Sequence, residues 1–365
     1  MRGRKLCGAA VLLAAAMSFA GCSGYASSQE LREQAYSETG KDGDGQAVQE
    51  GMPDTERAQE TGLNEDSLKY SSAAPAEITV NTANRTQAAL PEFEEVSSGQ
   101  KESAVGLDSG WKYAAFAKIT SGSAVLYKSD RADRKNITVC VNAGHGTKGG
   151  SAVKTQCHPD GSPKVTGGTT GAGDGDPRFR GAPGGGGAVT AAAVSGGMTF
   201  SDGTPESRVT LSMARILKEK LLAKGYDVLM IRESDDVQLD NIARTVIANN
   251  ASDCHIALHW DSTATDKGAF YMSVPDNASY RGMEPVKSHW QQHQALGESL
   301  VAGLKAQGVK IFFGGAMAMD LTQTSYSTIP SVDIELGDKA SDHSEAVLNR
   351  LADGLAAGVD QYFGR

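Results

Sequence analysis

The chain has few cysteines, no cluster of basic residues and, after its first residues, no long apolar run. Only three of its 5 cysteines follow Cys22, and their irregular spacing excludes a disulfide framework. The formal net charge is -9, and without a basic patch we do not expect the chain to bind nucleic acid. No later apolar stretch reaches the roughly 20 residues that a transmembrane helix needs.

One apolar run, at 9–20, lies close to the amino terminus behind three basic residues. It is too short for a permanent membrane span and is typical of a signal peptide. Cys22 directly follows Phe19-Ala20-Gly21, a pattern that resembles a bacterial lipobox, in which the cysteine sulfur receives a lipid. We therefore predict a lipoprotein signal peptide at 1–21 and an extracytoplasmic protein anchored to the cell membrane through Cys22. The alternative is an ordinary secretory signal followed by an incidental cysteine.

The segment 22–108 is acidic and poor in large apolar residues. Such a segment buries too little surface to offset the entropy of ordering, so we predict a disordered linker. As a tether it would reach on the order of 50 Å, although a featureless spacer explains the composition equally well. We predict that 109–136 is a short lead-in packed on a catalytic domain at 137–365.

From residue 137 onward, short β-branched runs alternate with amphipathic helical patterns. This alternation predicts an α/β fold with a mostly parallel sheet flanked by helices on both faces. The predicted strands are 137–142, 226–231, 254–258, 269–274 and 332–336, and the predicted helices are 209–223, 237–248, 291–307 and 347–362. A Gly-rich insertion at 146–203 is long for a compact domain, which favours a functional loop.

Four residues at the ends of these elements have side chains suited to metal-dependent hydrolysis. His145 follows the strand 137–142, and active sites of α/β folds gather at the carboxyl ends of strands. Glu206 lies in the first turn of a helix, where an ionised carboxylate is favoured. His259 ends another strand, and Glu335 stands among apolar neighbours, where an unpaired carboxylate is costly.

Two histidines and a glutamate can form a three-ligand zinc site with an open fourth position, with Glu335 as the acid/base. His255 shares a strand face with His259 but lies about 13 Å away, so we predict an interior histidine there. His289 and His293 have the spacing of a helical pair, and we predict that they lie on a solvated face.

The candidate residues belong to an ordered series of motifs: Gly144-His145-Gly146, Glu206, Gly225-Tyr226-Asp227-Val228, Arg232 with Asp235, Arg244 to Asn249, His259 and Glu335-Leu336-Gly337. In this series the chain resembles the zinc-dependent N-acetylmuramoyl-L-alanine amidases, from about residue 137 to its end. The resemblance implies a six-stranded sheet, a Zn²⁺ ion bound by His145, Glu206 and His259, and Glu335 as the catalytic carboxylate. It also implies hydrolysis of the amide bond between N-acetylmuramic acid and L-alanine in peptidoglycan.

The chain departs from the family pattern at two places. Trp260-Asp261 stands where a small residue and Asn are usual, and Asp338 stands where Phe is usual. Both places border the predicted pocket, and the candidates for substrate contact are Asp261, Arg244, Asp320, Gln323 and Tyr326.

Two alternatives stay open. One is a zinc peptidase or carboxypeptidase that cuts within the stem peptide of peptidoglycan. The other is a catalytically silent cell-wall-binding module, which is favoured if the departures at Asp261 and Asp338 have altered the cleft.

Overall fold

The computed structural model describes residues 99–166 and 187–365. The predicted signal peptide at 1–21 and lipid attachment at Cys22 lie outside these residues, as does most of the predicted tether. The lead-in at 109–136 packs on the domain, where Trp111 and Phe116 join a cluster around Ile242.

The described residues form an eight-stranded sheet in the order β1-β2-β6-β3-β7-β10-β8-β9 and a separate two-stranded sheet of β4 and β5. The strands are β1 (Gly99–Gly106), β2 (Ser123–Ser129), β3 (Thr138–Ala143), β4 (Lys154–Gln156), β5 (Thr190–Ala192), β6 (Asp227–Met230), β7 (Cys254–Asp261), β8 (Ala269–Ser273), β9 (Ile311–Ala318) and β10 (Ser331–Asp338). The central strands β6, β3, β7 and β10 are parallel. The prediction of a mostly parallel sheet is therefore confirmed.

The sheet has eight strands where the resemblance implies six. β1 falls inside the predicted tether and pairs antiparallel with β2, from Gly99 opposite Ser129 to Gly106 opposite Ser123. It is an edge strand, and edge strands carry polar and charged residues that give little hydrophobic signal in a sequence. β9 forms the other edge of the sheet. It contains Gly314 and Gly315, and because glycine has a low β-strand propensity the sequence does not predict a strand there.

Helices cover both faces of the sheet, as predicted. In the described residues they are α1 (Glu206–Ala223), α2 (Asn241–Ala251), α3 (Ala278–Gly282), α4 (Val286–Ala306), α5 (Thr322–Tyr326) and α6 (Glu345–Phe363). The second predicted helix begins later than expected, because Asp240 caps it by accepting a hydrogen bond from the Ala243 amide. No helix in these described stretches is long and apolar enough to cross a membrane.

The two faces of the central strands differ in character. On β7, Cys254, Ile256 and Leu258 face the main apolar core that α1, α4 and α6 contribute to. Side chains alternate along a strand, so His255, Ala257 and His259 lie on the opposite face. β10 repeats this pattern, with Val332, Ile334 and Leu336 in the core and Ser331, Asp333 and Glu335 on the face that β7 shares. The polar side chains of the two strands therefore collect on one face of the sheet.

Candidate metal centre

His145, Glu206 and His259 converge at the carboxyl ends of β3 and β7. One ligand atom from each lies within 4.8 Å of the others. Nε2 of His145 is 2.9 Å from Oε1 of Glu206 and 3.0 Å from Nδ1 of His259. Nδ1 of His259 is in turn 3.2 Å from the same Glu206 oxygen. The structure thus brings together three residues that the sequence places far apart, as the motif argument predicts.

Glycines make this convergence possible. A Cβ built on Gly144 would lie 2.3 Å from Cε1 of the His259 ring, so a side chain at that position would expel the ring. A Cβ on Gly197 would lie 2.8 Å from Cδ2 of His145 and 2.9 Å from Oε2 of Glu206, and the residue has φ +79. Only glycine fits both the space and that backbone conformation.

The end of the Gly-rich insertion orients two of the three ligands. Nδ1 of His145 donates to the carbonyl oxygen of Ser195 at 3.0 Å, which leaves a lone pair on Nε2 facing Glu206 and His259. Oε2 of Glu206 accepts from the Met198 amide at 2.8 Å, and Oε1 accepts from the Trp260 amide at 3.0 Å. Such outer contacts fix the rotamers of metal ligands. The contribution of Ser195 and Met198 is not visible in the sequence, since neither stands in a metal-binding motif.

The charges around the site suit a cation. Burial favours the neutral form of Glu206, but His145 and His259 outweigh it and hold the pKa of this carboxyl well below its usual range. Burial also opposes charge on His259, but Asp333 and Glu206 raise the pKa of its ring to about 9. An ionised carboxylate and two imidazole nitrogens directed at one point form a donor set that zinc accepts, so the residues fit this ion.

Glu335 lies directly beside the ligand cluster. It pairs in register with His259 across the parallel strands β7 and β10, so the two side chains share a face. Neighbouring strands are about 4.8 Å apart. The Glu335 side chain is buried and lies on the sheet face that carries His259, and its role as the acid/base stays a prediction.

Arg244, a predicted substrate contact, is buried and bonded to the protein itself. Its guanidinium donates to the His145 carbonyl at 2.6 Å, to Thr147 Oγ1 at 2.8 Å and to Asn142 Oδ1 at 3.2 Å. Burial, and then the nearby Arg232, lower the pKa of Arg244 to about 9. In this structure Arg244 holds the turn that carries His145.

Three other predicted substrate contacts are also buried. Each is hydrogen-bonded to a neighbour: Asp320 to His158 at 2.8 Å, Gln323 to Ser331 at 2.9 Å, and Tyr326 to the Gln156 carbonyl at 3.2 Å. None of the three forms a hydrogen bond with the candidate metal ligands. Their contact with substrate stays a prediction.

The two departures from the family pattern form a single feature, which we call the aspartate clamp: Asp261, Lys267 and Asp338. Asp261 and Asp338 pair in register just beyond His259 and Glu335. The Lys267 ammonium forms ion pairs with both carboxylates, and Oδ2 of Asp338 also accepts from the Lys267 amide at 2.7 Å. Asp261, a predicted substrate contact, is thus a buried member of this clamp.

The prediction of a solvated helix face is wrong for His293. Its side chain is buried, and Nδ1 accepts from the Ser331 amide at 2.9 Å. Burial, and then the neighbouring His289, lower the pKa of His293 to about 3. Both histidines lie on α4 as their spacing predicts, but the helix turns His293 toward β10.

A family model described as N-acetylmuramoyl-L-alanine amidase matches residues 139–361. Among solved structures, the apo form of the amidase Ami1 from Mycobacterium abscessus matches with 20% identity and a TM-score of 0.47, covering 62% of this chain and 99% of that one. Ami1 from Mycobacterium smegmatis matches with 19% identity and a TM-score of 0.45, covering 63% and 97%. No curated protein matches the chain.

Proposed function

Because the chain belongs to the N-acetylmuramoyl-L-alanine amidase family, we propose that it cuts the bond between N-acetylmuramic acid and L-alanine with a Zn²⁺ ion held by His145, Glu206 and His259. Family membership makes the chain a peptidoglycan amidase with an extracytoplasmic role. The observation that carries the metal proposal is the convergence of the three ligand atoms within 4.8 Å of one another. Three protein ligands leave a coordination position open, as catalytic zinc sites do.

A zinc ion bound at this site supplies a Lewis acid that activates water and polarises the scissile carbonyl. Glu335 accepts the proton of the attacking water and delivers it to the departing amine of L-alanine, in the role of general base and then general acid. Ser195 and Met198 hold the ligand side chains in place, and Arg244 holds the turn that presents His145.

We further propose that the catalytic domain is held at the membrane by a lipid on Cys22 and a tether that runs toward β1. The lipobox-like sequence Phe19-Ala20-Gly21-Cys22 supports the anchor, and the acidic, apolar-poor composition supports the tether. Incorporation of a labelled fatty acid in a bacterial host tests the anchor. Cys22→Ala should abolish the label and release the protein from the membrane fraction, and a labelled Cys22→Ala protein would contradict it.

The experiment for the catalytic proposal combines metal analysis with product analysis. The wild-type protein should carry one zinc per chain, lose activity with a chelator, and release stem peptides with free L-alanine amino termini from purified peptidoglycan. Shortened stems would instead indicate a zinc peptidase, and bound zinc without any product would indicate a silent wall-binding module.

Variants separate the metal ligands from the acid/base. His145→Ala should lose zinc, whereas Glu335→Gln should keep it and still turn over about 10³-fold more slowly, in the range that general acid–base catalysis contributes. Glu335→Gln with wild-type turnover would remove Glu335 from its role.

A further inference from the structure

The two histidines of the candidate metal centre are supported in different ways. The nitrogen of His145 that faces away from the site, Nδ1, contacts the carbonyl and hydroxyl oxygens of Ser195 at 3.0 and 3.1 Å, both of them neutral groups. The corresponding nitrogen of His259, Nε2, lies 3.7 Å from Oδ2 of Asp333. One ligand ring is therefore supported by dipoles and the other by a carboxylate.

We propose that Asp333 is a positioning residue that strengthens zinc binding through His259. Its negative charge, 3.7 Å from Nε2, favours the tautomer that carries the proton on Nε2 and so keeps the lone pair of Nδ1 directed at the ion. This inference rests on the proposed zinc site and adds to it a residue that belongs to none of the motifs.

The geometry separates Asp333 from the metal ligands themselves. Glu206 contacts Nδ1 of the His259 ring, and Asp333 contacts Nε2 of the same ring. The ring thus lies between two carboxylates, one on the side of the ion and one behind it. Asp333 would have to displace the ring to bind the ion directly.

The position of Asp333 on the sheet explains how it reaches the ring. It lies two residues before Glu335 on β10, so both side chains are on the polar face. Its register partner on β7 is Ala257, whose small side chain leaves room for the His259 ring to approach the Asp333 carboxylate. The Asp333 side chain is only 15% exposed, so water screens the contact weakly.

A carboxylate behind a ligand imidazole has a known physical effect. It fixes the tautomer and the ring orientation and makes the ligand nitrogen more basic. Removing such a group costs roughly 10- to 100-fold in metal affinity. A carboxylate that served only the fold would act differently, because its removal would change the stability of the metal-free protein and leave zinc affinity alone.

The test is a zinc competition titration with a chromogenic chelator on the full chain, alongside thermal unfolding of the metal-free protein. We expect Asp333→Leu to weaken zinc binding about 10- to 100-fold. The near-isosteric Asp333→Asn should lie in between, because its amide oxygen still turns a partial negative charge toward Nε2. The metal-free melting temperature should fall by a similar amount in both variants, because both remove the negative charge beside the His259 ring, and so it should not follow the difference in zinc affinity between them. Ser331→Ala is the matched control, since Ser331 lies on the same face of β10 but contacts His255 at 3.3 Å.

Ser331→Ala should keep the wild-type zinc affinity. Wild-type affinity in Asp333→Leu would overturn the proposal, and so would a loss of zinc that follows metal-free stability in parallel across all three variants. A wild-type protein that binds no zinc would instead remove the proposed function, and this inference with it.

Discussion

His255 and His259 occupy the same face of the same strand, yet the structure gives them opposite properties. Burial, and then the charges of Arg244 and His293, lower the pKa of His255 to about 3. Around His259 the carboxylates of Asp333 and Glu206 overcome burial and raise the pKa to about 9. Burial acts in the same direction on both rings, so the sign of the neighbouring charge decides which of them is suited to binding a cation.

The hydrogen-bond partners of the two rings agree with this contrast. His255 contacts the Asn142 amide nitrogen at 3.1 Å and the Ser331 hydroxyl at 3.3 Å, both neutral groups that suit a neutral ring. The carboxyl end of the strand face therefore suits a cation, and its amino end suits a neutral polar interior.

Exchanging the two histidines for alanine should separate catalysis from stability. His259→Ala removes a ligand and should lower amidase activity by at least about 10³-fold, because the metal supplies several kcal/mol of transition-state stabilisation. His255→Ala should keep zinc but lose about 2 kcal/mol of unfolding free energy, since it leaves buried polar partners unsatisfied. Activity assays, zinc analysis and urea unfolding of both variants check this. Equal zinc loss in the two variants would contradict the division.

Breaking the aspartate clamp should destabilise the fold without affecting the metal. Lys267→Met leaves Asp261 and Asp338 buried together without a counter-charge, which should cost about 3 kcal/mol of unfolding free energy. Replacing both aspartates with asparagine in the same variant should recover most of the lost unfolding free energy, since it removes the two buried negative charges that have no counter-charge. Urea unfolding and a zinc titration measure the two effects. A Lys267→Met protein as stable as the wild type would show that the clamp contributes nothing.

Acid should destabilise the metal-free protein through two buried histidines, His255 on β7 and His293 on α4. The folded pKa of both His255 and His293 is about 3, below the ordinary 6.5, so the unfolded chain binds protons that the folded chain does not. Stability is then fully present above pH 6.5 and falls as the pH drops toward 3, on the order of 1 kcal/mol per pH unit for each ring.

The same linkage has the opposite sign for His259. Its folded pKa of about 9 contributes stability below pH 6.5 that is lost as the pH rises toward 9. Urea unfolding of the chelator-treated protein between pH 9 and 5 should therefore show a maximum near pH 6.5. His255→Gln should flatten the acid side alone, and an unchanged acid slope in that variant would refute the assignment.

The glycine beside the ligands should have a smaller effect on zinc binding than the ligands themselves. Gly197→Ala should weaken zinc binding about tenfold, because the new Cβ would press on His145 and Glu206 and disturb their hydrogen bonds to Ser195 and Met198. Gly149→Ala is a matched control, since Gly149 has φ +77 but open space around it. Gly149→Ala should lose about 1 kcal/mol of unfolding free energy through backbone strain and keep the wild-type zinc affinity. Equal zinc affinity in the two variants would mean that a Cβ at position 197 does not disturb His145 and Glu206.

The sequence predicted the parts of the molecule that local patterns encode. Alternation of short apolar runs with helical spacing indicated the parallel core, and residues at element ends indicated the cluster of His145, Glu206 and His259. The sequence did not predict the edge strands β1 and β9, because β1 is polar and β9 contains paired glycines. The aspartate clamp and the support of His145 by Ser195 depend on which distant residues meet, which no spacing in the chain records. The position of Asp333 could be predicted from the sequence, since side chains alternate along a strand and Asp333 therefore lies on the same face as Glu335.

The contacts of Ser195 and Met198 tie the returning end of the Gly-rich insertion to the ligands themselves. Anything that binds only the folded arrangement of these groups stabilises it by mass action. Occupancy of the centre and order in that returning stretch are therefore thermodynamically linked. The Met198 amide, bonded to Glu206, is a built-in reporter whose exchange with solvent would slow when the ion arrives.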